Sequence, residues 1–211
     1  MTRHEKIYLN PTPVRIWHWL NAFGIVALIF TGIQIRWPEF INIFGTYKAA
    51  VSLHNTAGIV VSVSYLLWIV YYIFVTGSLL KIYVPTVEDL KYGLFRQAIF
   101  YFFFYFFGKP NPHTPTPDNK FNPLQKVTYL MIMLVLLPLV IFTGLLIMNI
   151  GPLREAIIAI GGLKLLDGAH YLIASCFIAF LFIHVYLATL GHTPFAHTRT
   201  MWTGWEEEEE K

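Results

Sequence analysis

The sequence predicts an all-α integral membrane protein, and its composition supports this in three ways. Of the 211 residues, 56% are hydrophobic and only 13% are charged, which is about half the charged share of an ordinary soluble domain. The mean hydropathy is +0.56. The net charge of +3 is too small and scattered for a nucleic-acid-binding face. Cys176 is the only cysteine, which excludes an intrachain disulfide.

Four apolar stretches are long enough to cross a bilayer, which takes about 20 residues in a helix. The predicted crossings are 14–35, 51–75, 127–148 and 167–190. Pro138 inside the third crossing predicts a kink rather than a break, because neighbouring helices can satisfy the freed carbonyl. The domains predicted from this pattern are an N-terminal arm, a four-helix transmembrane domain and a C-terminal tail, at 1–13, 14–190 and 191–211.

The basic residues predict the orientation of the chain. Eleven lysines and arginines lie on the side of both termini and of the loop between the second and third crossings, and four lie on the other side. Cytoplasmic loops carry the excess of basic residues. Both termini are therefore predicted to be cytoplasmic.

A run of eight aromatic residues at 100–107 lies in the long middle loop. Only twelve residues separate Arg96 from Lys109, too few to cross a bilayer as a helix. We expect an amphipathic helix at about 86–107 that lies in the inner membrane interface. A fifth crossing is the alternative.

A short segment repeats between the first and third crossings. Ile-Phe-Thr-Gly-Ile at 29–33 matches Ile-Phe-Thr-Gly-Leu at 141–145, and the second and fourth crossings each open near a histidine. Two parallel halves of two helices would explain the repeat. A chance match of five residues is the alternative.

Four of the eight histidines lie inside the predicted crossings, namely His18, His54, His170 and His184. Such side chains are costly in hydrocarbon and are by default functional, although any one of them could serve as a hydrogen-bonded interface residue. The fourteen residues from His170 to His184 give a rise of about 21 Å on nearly one helix face. His54 then matches His170 in depth on the outer side, and His18 matches His184 on the inner side.

Opposed imidazoles at two depths predict two bis-histidine haems of b type between the helices. Zinc would have only half of its tetrahedral ligands at each site, and a proton relay would need carboxylates, of which the crossings hold only Asp167 at a helix start. Arg15, three residues before His18, is a candidate partner for a haem propionate, with membrane anchoring as the alternative. Four glycines either make room for the cofactor or serve helix packing: Gly24, Gly32, Gly58 and Gly144.

A polar loop before the third crossing is the candidate quinone site. Quinone carbonyls need hydrogen-bond donors, and this loop is predicted at the cytoplasmic interface, at the depth of the inner histidines. The candidate residues are Asn119, Asn122, Gln125 and Lys126. Asn122 before Pro123 is also typical of a helix N-cap, and both interpretations stay open.

These motifs together resemble a known family. The sequence resembles dihaem cytochrome b subunits in four features. They are the Arg-x-x-His-Trp motif at 15–19, Thr31-Gly32, the Asn-Pro-x-Gln-Lys loop at 122–126 and the spacing of His170 and His184. Those subunits belong to bacterial formate dehydrogenases, nickel–iron hydrogenases and thiosulfate reductases. The resemblance covers nearly all of 14–190.

The resemblance implies a membrane-anchoring subunit in the bacterial inner membrane. On the periplasmic side, such a subunit exchanges electrons with an iron–sulfur subunit, which is joined to a molybdenum or nickel–iron catalytic subunit. Near the inner haem, it exchanges electrons with menaquinone or ubiquinone. It implies His54 and His170 as outer ligands, His18 and His184 as inner ligands, and a quinone against His184 and the 119–125 loop. The direction of electron flow stays open.

The haems would be six-coordinate and would lack an open position for substrate. The chain is therefore expected to be an electron-transfer subunit that completes only the quinone half-reaction. Two alternatives stay open on the sequence. One is a stand-alone b561-type quinone-linked cytochrome, and the other is a histidine-lined metal or proton transporter without haem.

Overall fold

Four helices of the structure, a computed structural model, are long and apolar enough to cross a membrane. They are Thr12–Arg36, Tyr47–Val75, Pro123–Met148 and Leu163–Ala188. The structure describes residues 6–191 and 193–207, so the remaining parts of the predicted arm and tail lie outside the described residues. The prediction of a mainly helical membrane protein with four crossings is confirmed.

The described elements follow one another in this order. They are β1 (Lys6–Tyr8), α1 (Thr12–Arg36), α2 (Tyr47–Val70), α3 (Leu79–Tyr83), α4 (Leu94–Phe102), α5 (Pro123–Met131), α6 (Leu137–Met148), α7 (Arg154–Ala159), α8 (Leu163–Ala188), α9 (Ala196–Thr203) and β2 (Trp205–Glu207). A π-helical turn at Tyr71–Val75 extends α2, and another at Ile132–Leu136 joins α5 to α6.

The long helices start two to four residues before the predicted crossings. An apolar stretch in the sequence is limited by the polar residues that flank it. A helix can include those polar residues in its first turn when that turn is capped. At the start of α5, the Asn122 side chain accepts the Gln125 N–H at 2.9 Å, and the Gln125 side chain accepts the Asn122 N–H at 3.0 Å. This capping box starts α5 at Pro123 instead of residue 127. Similarly, α8 begins at Leu163 and ends at Ala188.

The helix of the third crossing changes its winding near Pro138, where a kink was predicted. The π-helical turn Ile132–Leu136 immediately precedes α6, and Pro138 lies in the first turn of α6. Proline has no N–H to donate to the carbonyl four residues earlier, and its ring clashes with that carbonyl. A single π-helical turn accommodates this disruption without ending the helix.

One compact unit of the chain comprises Ile16–Trp68 and Leu136–Val185. Within it, α1 and α2 run antiparallel, since Asn21 donates to Ser64 at 2.7 Å and Thr31 lies 2.8 Å from His54. Polar side chains such as Asn21, Thr31 and Ser64 are buried between these helices. Many large apolar side chains of the same unit are exposed, as expected of a surface that faces lipid; Leu67 is 65% exposed and Phe182 74%.

The other unit comprises Ile69–Val135 together with the described residues before Ile16 and after Val185. In it, β1 pairs antiparallel with β2, with Tyr8 opposite Trp205. The sequence did not predict this sheet, because strands of three residues almost 200 positions apart carry no local signal.

The aromatic run lies in the same unit, on α4 and on a 3₁₀ turn at Phe104–Phe107. Gln97 and Phe100 are buried, whereas Phe102 and Phe107 are each 75% exposed. A nine-residue α4 rises only about 14 Å. Among the described residues, no helix of crossing length lies in this loop, which favours the interfacial interpretation over a fifth crossing.

Candidate functional site

The structure brings the four membrane histidines together as two pairs. The rings of His54 on α2 and His170 on α8 have centroids 6.4 Å apart, and those of His18 on α1 and His184 on α8 have centroids 6.2 Å apart. All four side chains are half-buried. These are the pairs predicted from helix geometry, and all four residues belong to one compact unit.

The spacing within each pair fits one metal ion between two imidazoles. Imidazole nitrogens bind a metal at about 2 Å, so rings on opposite sides of one metal have centroids about 6 Å apart. Among the described residues, no group of three or more histidine, cysteine or carboxylate side chains could hold a metal ion. Two axial ligands with no third protein ligand are the donor set of a bis-histidine haem, and the residues therefore fit that cofactor.

Each outer histidine contacts a threonine and a glycine from the preceding long helix. Thr31 Oγ1 lies 2.8 Å from His54 Nδ1, and Thr143 Oγ1 lies 2.9 Å from His170 Nδ1. The glycines that follow these threonines also lie against the two rings. The repeated Ile-Phe-Thr-Gly segment thus places the same pair of side chains beside each outer histidine.

The inner histidines have a different, more aromatic environment. The Phe180 ring stacks on His184 with centroids 5.4 Å apart, and the Trp19 ring lies edge-on to His18 at 5.1 Å. The Nδ1 atom of His18 is buried and has no hydrogen-bond partner among the described residues. The two pairs therefore share their spacing, but His18 lacks the threonine hydrogen bond that His54 and His170 each have.

The glycines beside the outer histidines leave different amounts of room, and this gives a prediction. A Cβ on Gly144 would lie 3.2 Å from His170 Cε1, tighter than ordinary contact, whereas a Cβ on Gly32 would lie 3.5 Å from His54 Cε1. Gly144→Ala should displace His170 and reduce the haem content of the chain, at a cost of about 1–3 kcal/mol for overpacking.

Gly32→Ala is the matched control and should bind haem as the unchanged chain does. The measurement is haem per chain in the purified protein. Equal haem loss in both variants would contradict this account of the packing.

Arg15 is held within its own unit. Its guanidinium donates to Thr12 Oγ1 at 2.8 Å and to the Trp202 carbonyl on α9. Its buried Nε has no hydrogen-bond partner among the described residues. These contacts tie the start of α1 to α9, and the propionate role of Arg15 stays a prediction.

The candidate quinone residues divide into structural and accessible groups. Asn122 is 3% exposed, caps α5 and donates from Nδ2 to the Tyr101 hydroxyl at 3.1 Å. Gln125 completes the capping box, so the N-cap interpretation of Asn122 describes its contacts. Asn119 is exposed in a turn with Thr116.

Lys126, the fourth candidate, is buried and forms an ion pair with the half-buried Asp89. Its Nζ lies 2.9 Å from Asp89 Oδ2, with side-chain exposures of 6% and 17%. Burial alone would raise the pKa of Asp89, but hydrogen bonds from the Thr86 N–H and from Lys126 lower it overall. Lys126 thus has a carboxylate partner that the sequence pattern does not predict.

Three ionisable residues near this loop are brought together or buried in a way that the sequence pattern does not predict: Asp89, His113 and Lys120. Asp89 and His113 line a cavity of about 170 Å³. Burial and the nearby Lys126 charge lower the pKa of His113, and burial lowers the pKa of Lys120 to about 8. In the sequence these residues are isolated charged or polar positions on either side of the aromatic run, and such positions do not show which residues pair.

Four membrane-crossing helices with two opposed imidazole pairs define a membrane cytochrome that binds b-type haem. The chain belongs to the prokaryotic cytochrome b561 family, whose model matches residues 10–204. The family supports a role in electron transport through haem in a multi-pass membrane protein.

Three relatives extend this finding. The chain is 32% identical over 202 residues to "Putative cytochrome YdhU" of Escherichia coli (strain K12), which covers 95% of this chain and 75% of the relative. Two proteins named "Probable Ni/Fe-hydrogenase B-type cytochrome subunit" match shorter parts. The one from Rhizobium leguminosarum bv. viciae is 50% identical over 34 residues (16% of this chain, 14% of the relative), and the one from Rhodobacter capsulatus is 34% identical over 74 residues (30% and 26%).

Proposed function

We propose that the chain is a dihaem cytochrome b that carries electrons across the bacterial inner membrane, with both termini in the cytoplasm. The observation that carries this proposal is the pair of matched ring separations, 6.4 Å for His54–His170 and 6.2 Å for His18–His184. His54 and His170 would hold the outer haem, and His18 and His184 the inner haem. When bound, each haem supplies a site that accepts and releases one electron.

The spacing along α8 supports transfer between two depths. His170 and His184 lie on one helix, fourteen residues apart, so their sites are separated by about 21 Å along the helix axis. The histidines would hold iron between helices, and a haem iron with two imidazole ligands would have no free coordination position for a substrate. Substrate chemistry then belongs to a partner.

We assign that partner to the periplasmic side, as an iron–sulfur subunit with a molybdenum or nickel–iron catalytic subunit. The names of the two partial relatives, which describe hydrogenase cytochrome subunits, support a role in such a complex. On the cytoplasmic side the electron acceptor or donor is a menaquinone or ubiquinone. Its carbonyl groups would meet donors from the polar loop that contains Asn119, Asn122, Gln125 and Lys126.

The decisive experiment for this function is purification of the full chain from native membranes in mild detergent. We expect an iron–sulfur protein and a catalytic subunit to copurify in fixed ratio with the haem. A haem protein that purifies alone and reduces or oxidises quinone at the full rate would instead establish a stand-alone b561-type cytochrome. A chain without haem that moves metal ions or protons would establish the transporter.

A second prediction concerns Asn122, whose capping and donor functions can be separated. Asn122→Ser keeps an oxygen that can cap α5 but removes the Nδ2 donor. We expect quinone turnover to fall about fivefold, the weight of one hydrogen bond of about 1 kcal/mol, with haem content unchanged. Turnover is measured with a water-soluble quinone analogue.

Tyr101→Phe is the control, since it removes the hydroxyl that accepts from Asn122 Nδ2 and leaves the amide itself in place. Its turnover should stay near that of the unchanged chain. If Asn122→Ser keeps full turnover, or loses haem in step with turnover, Asn122 is a structural cap and not a quinone ligand.

A further inference from the structure

Each outer histidine is held by a buried threonine from a neighbouring helix. Thr31 Oγ1 lies 2.8 Å from His54 Nδ1, and Thr143 Oγ1 lies 2.9 Å from His170 Nδ1. Thr31 is fully buried and Thr143 is 8% exposed. The same contact therefore occurs twice, once in each copy of the Ile-Phe-Thr-Gly segment.

The other contacts of the two threonines decide which atom donates. A hydroxyl has one hydrogen to donate and two lone pairs that accept. Thr31 Oγ1 donates to the Ala27 carbonyl at 2.6 Å, and Thr143 Oγ1 donates to the Leu139 carbonyl at 2.9 Å. Because each hydrogen is used within its own helix, each threonine oxygen accepts the N–H of the histidine. The Leu28 carbonyl beside His54 and the Val140 carbonyl beside His170 are further acceptors for these rings, so the threonine and the carbonyl favour the same tautomer.

This hydrogen bond selects one tautomer of each outer histidine. A neutral imidazole that carries its proton on Nδ1 has its lone pair on Nε2. Nε2 is then the atom available to bind iron, and the ring is fixed before the cofactor enters. A threonine in a membrane helix often bonds only to its own backbone, but that role alone does not explain why both hydroxyls also meet a histidine nitrogen.

The inner pair provides a contrast. The buried Nδ1 of His18 has no hydrogen-bond partner among the described residues. Among the described contacts, no threonine meets the His18 ring, whose ring contacts are with Trp19 and His184. Donors and acceptors around axial imidazoles are a means by which a protein sets haem potential, so the two sites differ in that respect.

We propose that Thr31 and Thr143 are positioning residues for the outer haem, which hold its ligands in the iron-binding tautomer and lower its reduction potential. A histidine that donates its second N–H becomes a more basic ligand, and a more basic ligand stabilises ferric over ferrous iron. The lower potential favours electron movement from the outer site to the inner site. This proposal rests on the assignment of His54 and His170 as the outer-haem ligands.

The test compares valine with serine at both positions. Thr31→Val and Thr143→Val replace the hydroxyl by a methyl group of similar size, whereas Thr31→Ser and Thr143→Ser keep the hydroxyl. The full chain is purified with its haem, and the potentials of the two haem components are measured by optical redox titration. Haem per chain is measured on the same samples.

We expect each valine variant to shift the reduction equilibrium of the outer haem about tenfold toward the ferrous form, which is about 59 mV for one electron. The inner component should stay unchanged, and the serine variants should match the unchanged chain. If valine causes loss of the outer haem while serine retains it, the hydroxyl is still shown to hold the ligand.

Three results would overturn the proposal: an outer potential that valine does not move, an equal shift in serine and valine variants, or a shift confined to the inner component. Failure of the proposed function looks different. In that case the unchanged chain contains no haem, or its redox components do not depend on His54 and His170.

Discussion

His54→Ala and His170→Ala are each expected to remove the outer haem, and His18→Ala and His184→Ala the inner one. In every variant the haem content should fall from about two to about one per chain. The reason is that, in the proposed arrangement, each iron would receive one imidazole from each of two helices; the paired ring centroids lie 6.4 Å and 6.2 Å apart. A haem with a single remaining protein ligand loses half of its axial coordination.

The measurement is the absorption spectrum of the reduced protein, in which the two haems are followed as separate components. His197→Ala is the control, because His197 lies on α9 beside Glu206 in the other unit, and this variant should keep both haems. If His54→Ala and His18→Ala removed the same component, the proposed pairing would be wrong.

Lys126→Met is expected to destabilise the protein by about 1.5–3 kcal/mol, the usual contribution of a hydrogen bond between charged groups, because Asp89 loses its cationic partner. The Lys126 Nζ lies 2.9 Å from Asp89 Oδ2, and only 6% and 17% of the two side chains are exposed. Asp89→Asn together with Lys126→Met removes both charges. The double variant should recover most of the stability, measured by thermal unfolding in detergent.

The effect of Lys126→Met should depend on pH in a defined direction. In the unchanged chain, the lowered pKa of Asp89 stabilises the fold above the unfolded-state pKa, and this stabilisation is lost as the pH falls through the folded-state pKa. Without Lys126, Asp89 loses the hydrogen bond and the charge of Lys126, both of which lower its pKa, and keeps only the Thr86 hydrogen bonds. Asp89 in the variant therefore takes up a proton at higher pH than in the unchanged chain.

The unfolding temperature of Lys126→Met should therefore lie far below that of the unchanged chain at pH 7, and the difference should be smaller near pH 4. A difference that does not change with pH would show that packing of the Lys126 chain, not the charge pair, stabilises this region.

The histidine pairs could be predicted from the sequence because they depend on helix periodicity and on the position of each histidine along its helix. The fourteen residues between His170 and His184 define two depths, and the positions of His18 and His54 near opposite helix starts supply their partners. The threonine contacts could not be predicted in the same way. They depend on how far α1 is rotated toward α2, and α6 toward α8, which a hydrophobic pattern does not determine to within a hydrogen bond.

The glycines show the same limit of sequence reasoning. All four were expected either to make room for a cofactor or to pack helices, and the structure divides them. A Cβ on Gly24 would lie 2.6 Å from Val61 Cγ2, a close approach of two helices, whereas Gly32 and Gly144 lie against the outer histidines. The Asp89–Lys126 pair was missed for a related reason, since the two residues are 37 positions apart and no repeat connects them.

The central claim is that two imidazole pairs hold two b-type haems in one chain. A pyridine haemochrome assay on the purified full chain, with protein quantified by amino-acid analysis, tests this most directly. The account predicts the spectrum of haem b at about two equivalents per chain. A value near zero would contradict it outright, and a value of one that persists in preparations saturated with haem would contradict the second site.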